Sequence, residues 1–381
     1  MAKKGRVKIK ASKKDIEIKS GKHSIKIKLN DYLTIAIVVI VLAVAVLWYF
    51  YNQDEKKDQY TALSTIFTGV TDAQTDELNI HFIDVGQGDS IFVEFPDGKN
   101  MLIDSGDRGK GDIVVDYLRD LKIERIDLLI ATHTDSDHIG GMKEVFDAFE
   151  ISFCLRPFVY YSGSDKETFD QSFNMLPTAK TSYYCDTKTY KTFLDCILKE
   201  GCGYEYFNKD SDFAQKFTFE EVEYEYSVDF LTPTEEVPNI GYYHSNDYSP
   251  VFVLTYGEFN AMFTGDAEVA VENEIITYYA SIPKVDLLKV GHHGSESSTS
   301  REFLQRILPT DAIIPCGNNK TYNHPRQQTL DSLIEINCKI YRTDLQGEIK
   351  VCVGLNGEYN ITTQKSASIT ELHQGKDAIT G

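Results

Sequence analysis

Residues 128–141 read LLIATHTDSDHIGG, and this stretch decides the fold class. Within six residues it holds side chains that can bind a metal ion: His133, Asp135, Asp137 and His138. The apolar run before them is typical of a buried strand, and apolar residues after them repeat at helical spacing, at Met142, Val145, Phe146 and Phe149. The cluster is therefore predicted on a strand-to-helix turn. Imidazole with carboxylate suits zinc, manganese or iron better than calcium or magnesium, which indicates a metal-dependent hydrolase; the alternative is a solvated acidic turn.

Further candidate ligands follow other strand-like runs. Asp266 ends an FTGD motif, and His292 and His293 form the pair in KVGHHGS. Because each motif follows an apolar run, three strand ends are predicted to bring ligands to one rim. Taken alone, a Gly-Asp or a His-His pair is a weak signal, since a buried histidine is more often a core residue whose hydrogen bonds are satisfied.

Two more carboxylates follow apolar runs nearer the start of this region. Asp84 comes after residues 79–82, and Asp104 after residues 101–103. A carboxylate beside a metal-binding histidine fixes the orientation of its ring by accepting the second ring N–H. Asp84 and Asp104 are therefore predicted to support the ligands from behind.

The order of these motifs along residues 78–363 resembles the metallo-β-lactamase superfamily, closest to the soluble domain of the ComEC-like competence proteins. The motifs that carry the resemblance are HFIDVGQGDSIFV, LIDSG, THTDSDHIGG, TGDAE and VGHHGS. The resemblance implies an α/β fold, an αββα sandwich with a site for one or two metal ions at one edge of the sheets. Zinc is the implied ion, with manganese as an alternative. The implied ligands are His133 and Asp135 for one ion, Asp137 and His138 for the other, Asp266 between the two, and His293, in preference to His292, to complete the second site.

Two positions depart from the general superfamily pattern, and the ComEC-like branch shows similar departures. Asp135 stands where the usual motif has a histidine, although a carboxylate can still bind metal. Residues 245–249 read SNDYS where another histidine is usual, and His244 beside them is a candidate substitute. The first metal site is therefore expected to be weak, and binding of a single ion is the alternative.

A bound divalent ion lowers the pKa of its water to about 7 and so supplies hydroxide. Hydrolysis of a phosphodiester or a related ester is the predicted reaction, with Asp137 and His324 as the catalytic residues. Ser295, His324 and Arg326 are predicted to contact the substrate, since His324 lies in an NHPR motif similar to the one that closes the site in ComEC-like proteins. The alternative for His324 is a loop residue that caps the helix predicted from Gln327.

Residues 32–51 are almost uninterruptedly apolar and uncharged, about the length that crosses a 30 Å hydrocarbon core as a helix. A transmembrane helix is predicted; a core helix and a cleavable signal peptide are the alternatives. Residues 1–31 carry 11 Lys or Arg against 3 Asp or Glu, so they are predicted in the cytoplasm and the catalytic domain outside the cell membrane. This basic segment also alternates apolar and charged residues at period two, which is typical of short strands; a lysine-rich segment that lies on anionic headgroups is the alternative. Residues 52–77 are predicted to be a polar tether.

The charge balance bears on the substrate. The chain carries −19 in total and its first 31 residues +8, so the remainder holds −27. Such an exterior argues against broad electrostatic capture of nucleic acid, although nucleic acid stays a candidate beside a lipid headgroup or a wall polymer. The alternatives to ester hydrolysis are amide or lactone hydrolysis, and an envelope binding protein that kept the fold but lost turnover. The oligomeric state is not indicated.

Residues 151–245 are rich in tyrosine and form the variable region in which specificity is predicted. Aromatic rings can stack on bases or sugars or bind a choline-like cation; core and edge packing is the alternative for most of them. Near the end, a hairpin is predicted around Asn356-Gly357, followed by a frayed polar tail, residues 364–381. The seven cysteines allow at most an isolated disulfide, such as Cys185 with Cys196 or Cys202.

Overall fold

The computed structural model describes residues 8–11, 15–20, 23–28, 75–164, 184–207, 212–219, 222–234, 244–318 and 321–379. The chain divides into two units, residues 1–61 and 62–381. In the first unit, strands β1 (Lys8–Ala11), β2 (Asp15–Ser20) and β3 (His23–Lys28) pair antiparallel in that order, which confirms the predicted short strands. The predicted membrane span, residues 32–51, and the tether up to residue 74 lie outside the described residues. Within the described ranges, no helix is long and apolar enough to cross a membrane.

The second unit contains two large sheets. The elements, in chain order, are β4 (Glu77–Phe82), β5 (Ile91–Glu94), β6 (Asn100–Ile103), α1 (Gly111–Asp120), β7 (Arg125–Ile130), α2 (Ser136–Ile139), α3 (Met142–Ala148), β8 (Glu150–Arg156), β9 (Tyr160–Tyr161), β10 (Tyr184–Cys185), α4 (Lys188–Glu200), β11 (Gly203–Tyr206), β12 (Phe213–Phe219), β13 (Val222–Phe230), β14 (Phe252–Tyr256), β15 (Phe259–Phe263), α5 (Val269–Tyr278), β16 (Leu287–Lys289), α6 (Arg301–Ile307), β17 (Asp311–Ile314), α7 (Gln327–Glu335), β18 (Lys339–Arg342), α8 (Thr343–Gln346), β19 (Ile349–Gly354), β20 (Tyr359–Thr363) and α9 (Ile369–Leu372). Short 3₁₀ turns lie at Ser245–Tyr248, Gly291–Gly294 and Asp377–Ile379. Among the described strands, one sheet has the order β11-β8-β7-β6-β5-β4-β19-β20 and the other β12-β13-β14-β15-β16-β17-β18.

The central strands are apolar on both faces because helices cover the outer side of each sheet. In β7, Leu128 and Ile130 pack into the core between the sheets, whereas Leu129 packs under the helices on the outside. In β15, Phe263 faces the inner core and Met262 packs under the helices of the second sheet. This double burial explains why these strands read as continuous apolar runs. The layers are helix, sheet, sheet, helix, which confirms the predicted sandwich.

The strands and helices predicted around the ligand motifs are present, with bounds within three residues of the expected ones. The hairpin predicted around Asn356-Gly357 pairs Val353 with Tyr359 and adds its two strands to the edge of the first sheet. Tyrosines of the variable region are mostly packing residues: among the described ones, Tyr160, Tyr161, Tyr190 and Tyr226 are buried, whereas Tyr184 is half exposed.

One expectation is wrong. The chain does not fray from Gln364, because residues as far as Asp377 bind back onto the second sheet and α7: Arg342 donates to the carbonyl oxygens of Glu371 and Gln374, and Asp377 accepts from the Gln327 amide. No disulfide joins the cysteines, all of which lie in the described ranges as free thiols.

Candidate metal centre

The metal loop, residues 133–138, follows β7 and runs into the short helix α2, as predicted. Its conformation depends on two glycines that follow it. A Cβ on Gly140 would lie 2.3 Å from the backbone nitrogen of Arg108, and one on Gly141 would lie 2.4 Å from the carbonyl oxygen of Ser105. The metal loop therefore packs directly on the loop that follows β6. A hydrogen bond reinforces this contact, because the Ser105 amide donates to the His138 carbonyl oxygen at 2.7 Å.

His138 lies at the bottom of the site and is fully buried. Its Nε2 is 3.2 Å from Oδ1 of Asp266 and 3.3 Å from Nε2 of His293. Its Nδ1 is 2.7 Å from Oδ2 of Asp104, and Thr132 holds that carboxylate through both its amide and its hydroxyl. Asp104 thus takes the supporting position predicted for it. Asp84 does not, because it accepts a hydrogen bond from the Gly86 amide in its own turn.

Asp266 lies at the centre of the histidines. Its Oδ2 is 3.4 Å from Nε2 of His293 and 4.0 Å from Nε2 of His133. The turn that presents it is tight: Gly265 has φ +49°, a Cβ there would lie 2.8 Å from Cβ of Ser249, and the Asp266 amide donates to the Ser249 hydroxyl. This central position fits the bridging place that the resemblance implies.

The two neighbouring histidines have different surroundings. His293 is buried, donates from Nδ1 to the Pro315 carbonyl oxygen at 2.9 Å, and has Nε2 3.4 Å from Oδ2 of Asp137. His292 is 23% exposed, and its Nδ1 lies 3.2 Å from Oε1 of Glu268. Hence His293 directs its free nitrogen into the cluster that contains Asp137 and His138, whereas His292 lies at the rim.

The first predicted site is less complete. Nε2 of His133 lies 3.9 Å from Oδ2 of Asp135, whose side chain is 47% exposed. Asn246, in the stretch where the superfamily has a histidine, donates to Glu268 and so supports His292 instead. His244 is exposed and belongs to neither ligand group found among the described residues.

The donors present suit a metal ion. Two groups in the described part of the chain have ligand atoms close enough to share an ion: His133, His138 and Asp266; and Asp89, His138 and His293. Nε2 of His133 and Oδ1 of Asp266 are buried without a hydrogen-bond partner. Buried polar atoms are rarely left unpaired, so these two atoms fit a site completed by a cation.

Electrostatics in the cluster are strong and mutually dependent. Burial opposes the charged form of Asp266, yet His138, His293 and His292 hold the pKa of that carboxyl well below its ordinary value. Burial alone would lower the pKa of His293, but Asp266 together with Asp137 and Asp89 raises it to about 10. Such perturbed groups in one place are characteristic of functional sites.

The residues predicted to contact substrate lie near the rim. The His324 ring centroid is 5.2 Å from that of His292, its Nδ1 is buried without a hydrogen-bond partner, and burial lowers the pKa of His324 to about 3. His324 does not cap α7, since Arg326 occupies that position and the helix has no side-chain cap. The Ser295 hydroxyl already bonds to Ser297, whereas His324 and Arg326 each keep a nitrogen without a partner, so Ser295 is the least available of the three.

A cleft of about 360 Å³ opens beside the metal loop. Its lining includes Asp135 and Asp137 from the loop, Arg108, Gln87 and the exposed ring of Tyr322. The ligand cluster can therefore be approached from solvent on the side of Asp137.

Sequence reasoning missed two residues of the site. Asp89 lies with Oδ1 3.3 Å from Nδ1 of His293, and Lys289 pairs with Asp89 at full burial. Asp89 stands in the VGQGDS motif, and the two glycines of this motif already indicated a turn at Asp89. Lys289 gave no signal, because a lysine that ends an apolar strand usually reaches solvent.

Four layers around an edge site with clustered histidines and aspartates define a metallo-β-lactamase fold. Residues 83–317 match the model of the Metallo-beta-lactamase superfamily, and the chain belongs to that superfamily. Its resemblance to ComEC-like competence proteins is confirmed by curated relatives. It is 29% identical to ComE operon protein 3 of Bacillus subtilis (strain 168), over 72% of this chain and 33% of that protein. It is 25% identical to competence protein ComA of Neisseria gonorrhoeae, over 72% of this chain and 32% of that protein.

The chain therefore matches about a third of the length of these relatives. Similar solved structures include Igni18, a metallo hydrolase from Ignicoccus hospitalis, at 13% identity and a TM-score of 0.38, over 74% of this chain and 98% of that chain. Another is the diiron β-hydroxylase CmlA from Streptomyces venezuelae, at 12% identity and a TM-score of 0.40, over 74% of this chain and 55% of that chain.

Proposed function

We propose that this chain is a metal-dependent hydrolase of a phosphodiester or related ester. The observation that carries the proposal is the convergence of His133, His138 and Asp266 on one point, where Nε2 of His133 and Oδ1 of Asp266 have no hydrogen-bond partner. A divalent ion held there, zinc or manganese, would supply an activated water at neutral pH and a counter-charge for an ester oxygen.

The chain's own residues would divide the work between holding and orienting. His133, Asp137, His138, Asp266 and His293 are the proposed ligands, with Asp135 as a weaker one at the exposed side. Hydrogen bonds behind the ligands fix which nitrogen faces the centre, since His293 donates from Nδ1 to a backbone carbonyl. Asp137 is the proposed ligand that also lines the open cleft, so its carboxylate would orient the water.

The rim would bind the ester. Glu268 holds Nδ1 of His292 at the rim, and Nε2 lies 3.7 Å from Oδ2 of Asp266, so His292 would donate to an ester oxygen bound beside Asp266. His324 and Arg326 each keep a buried nitrogen without a hydrogen-bond partner. The Arg326 guanidinium is a charged donor that suits the oxygens of a phosphoryl group, which favours a phosphodiester over an amide or lactone, and the neutral His324 ring would contact the ester beside it.

The proposed location is the cell membrane. Residues 32–51 would span it once, with residues 1–31 in the cytoplasm and the hydrolase outside, on the basis of the apolar run and the lysine-rich start alone. An envelope binding protein without turnover is the second candidate, favoured by the exposed position of Asp135.

The test measures metal content and hydrolysis of bis-p-nitrophenyl phosphate by the full chain in detergent, loaded with zinc or manganese. Beside it stand the double variant Asp137→Ala/His138→Ala and the control His244→Ala, which changes an exposed histidine next to the site. We expect turnover that needs metal, is lost in the double variant and survives in the control. A folded chain that binds no metal and turns nothing over would favour the binding protein, and bound metal without turnover would point to an amide or lactone.

A further inference from the structure

A lysine is buried beside the metal centre. Lys289 is the last residue of β16, and only 1% of its side chain is exposed. Burying an ammonium is costly unless charged and hydrogen-bonding groups surround it. Its Nζ pairs with Oδ2 of Asp89, donates to the Gly265 carbonyl oxygen at 2.6 Å, and lies 3.6 Å from Oδ1 of Asp266. The ammonium is thus enclosed by oxygen atoms, the donors that hard metal cations prefer.

The other oxygens of the same two carboxylates contact the proposed ligands. Oδ2 of Asp266 is 3.4 Å from Nε2 of His293, and Oδ1 of Asp89 is 3.3 Å from Nδ1 of the same ring. Asp89 also forms, with His138 and His293, one of the two groups whose spacing suits a metal ion. Without Lys289, Asp89 and Asp266 would face the imidazoles of His138 and His293 but no ammonium.

We propose that Lys289 is a built-in cation of the centre, whose ammonium fills a cation site made by Asp89, Gly265 and Asp266. The inference rests on the metal centre of the proposed function and deepens it. The lysine excludes a further metal ion from this corner, and it holds the Asp266 carboxylate in position whether or not the neighbouring ligands carry an ion. It is a positioning residue, since it touches ligands and not the substrate.

Removing the side chain should open that site to a metal. Lys289→Ala leaves the oxygens of Asp89, Gly265 and Asp266 around an empty volume, so the full chain should bind one more Mn²⁺ per chain than the wild type. Lys289→Met fills the volume without charge and should gain no ion. The double variant Asp89→Asn/Lys289→Ala removes one carboxylate and should return to the wild-type number.

The measurement is the number of Mn²⁺ ions per chain, by elemental analysis after gel filtration and by the electron paramagnetic resonance signal of bound Mn²⁺. The matched control is Lys284→Ala, which removes an exposed lysine from the segment before the same strand. If Lys289→Ala binds no more Mn²⁺ than Lys284→Ala, the proposal is overturned. That result would leave the proposed hydrolase function unaffected, because turnover of the wild type is measured separately. A wild type that binds no metal would defeat the proposed function, while a gain of one ion in Lys289→Ala would still support the built-in cation.

Lys289→Ala could unfold, because Asp89 would lose its partner. The variant is therefore also purified with and without Mn²⁺ or propylammonium, each of which can replace the lost charge. The thermal midpoint of each variant is then measured. If either cation raises the midpoint of Lys289→Ala more than that of Lys284→Ala, the proposal is supported. Failure of both cations to do so contradicts it, because the lysine would then be needed for its shape and not for its charge.

Discussion

Asp104 is the residue through which the fold controls the orientation of His138. Its Oδ2 lies 2.7 Å from Nδ1 of His138, which leaves Nε2 facing the ligand cluster. Carboxylates in this position typically change metal affinity 10- to 100-fold when they are replaced. We expect Asp104→Asn to weaken Zn²⁺ binding by about that factor, measured by competition with a chelator of known affinity.

Asp84→Asn is the matched control for that prediction. Asp84 was an equal candidate by sequence, but in the structure it accepts from the Gly86 amide, so its replacement should leave Zn²⁺ affinity unchanged. Equal effects of the two variants would show that Asp104 acts only through the general stability of these loops.

Single residues also mark where sequence reasoning succeeds. The spacing within HTDSDH and its place after an apolar strand predicted His133, Asp137 and His138 as neighbours, because a turn this short cannot separate them. It could not predict Lys289 with Asp89, since the two lie 200 positions apart and meet only through the packing of one sheet on the other.

At the level of elements, the loop after β4 packs closely against the metal loop because Gly88 has no side chain. Gly88 has φ +129°, and a Cβ there would lie 2.2 Å from the carbonyl oxygen of Asp137. Gly88→Ala should therefore lower the free energy of unfolding by about 2–4 kcal/mol, from backbone strain and forced displacement of the metal loop. Denaturation in urea measures the change, and metal content should fall with it.

Gly109→Ala is the matched control, because it separates the steric clash of a new Cβ from the backbone strain of a positive φ. Gly109 also has a positive φ, +76°, but a Cβ there meets nothing within 4 Å, so only the conformational cost of about 1–2 kcal/mol remains. If both variants lose the same stability and keep the same metal content, the close contact of Gly88 with the metal loop has no consequence.

The edge strand β11 carries a carboxyl that should make stability depend on pH. Burial raises the pKa of Glu205 to about 7, and its Oε2 is buried without a hydrogen-bond partner. Because the folded-state pKa lies above the ordinary value of 4.5, the folded chain binds an extra proton between about pH 4.5 and 7, and stability falls as pH rises through that window. Since the side chain is partly exposed, we expect a loss of about 1–2 kcal/mol.

Glu205→Gln should remove that loss, while Glu150→Gln, which changes an exposed carboxyl at the start of the neighbouring strand, should keep it. Urea denaturation at pH 5 and pH 7.5 measures both. The same pH dependence in wild type and Glu205→Gln would mean that the carboxyl reaches water when it ionises.

Elements were predictable from sequence where one rule dominated. Apolar runs gave the central strands, and Asn356-Gly357 gave the hairpin, because strand burial and turn geometry are local requirements. Tyr190 and Tyr226 were less predictable, since a tyrosine can serve a binding surface or a core equally well, and only tertiary packing buries both.

For the whole molecule, the last residues act as a strap behind the site, which local composition could not reveal. Their polar side chains and carbonyls satisfy groups elsewhere: Arg342, buried in the second sheet, donates to the carbonyls of Glu371 and Gln374. The Lys376 amide donates to the Pro325 carbonyl, next to His324. The tail was predicted to fray, but its hydrogen bonds to Arg342 and Pro325 keep it ordered. These bonds connect the stability of the fold to the rim of the site.

Deleting residues 366–381 should therefore lower the stability of the fold and disturb the rim of the site. The loss of Asp377, which accepts from the first amide of α7, costs about 1 kcal/mol, and leaving Arg342 without carbonyl acceptors costs about 1.5–3 kcal/mol. The thermal midpoint should fall by roughly 5–10 °C for a domain of this size. Since the proposed ligands lie on other loops, metal content should stay at the wild-type value while KM for the ester rises, because the loop of His324 loses its anchor. Deleting only residues 380–381 is the control; a full deletion with wild-type midpoint and KM would show that the strap supports nothing.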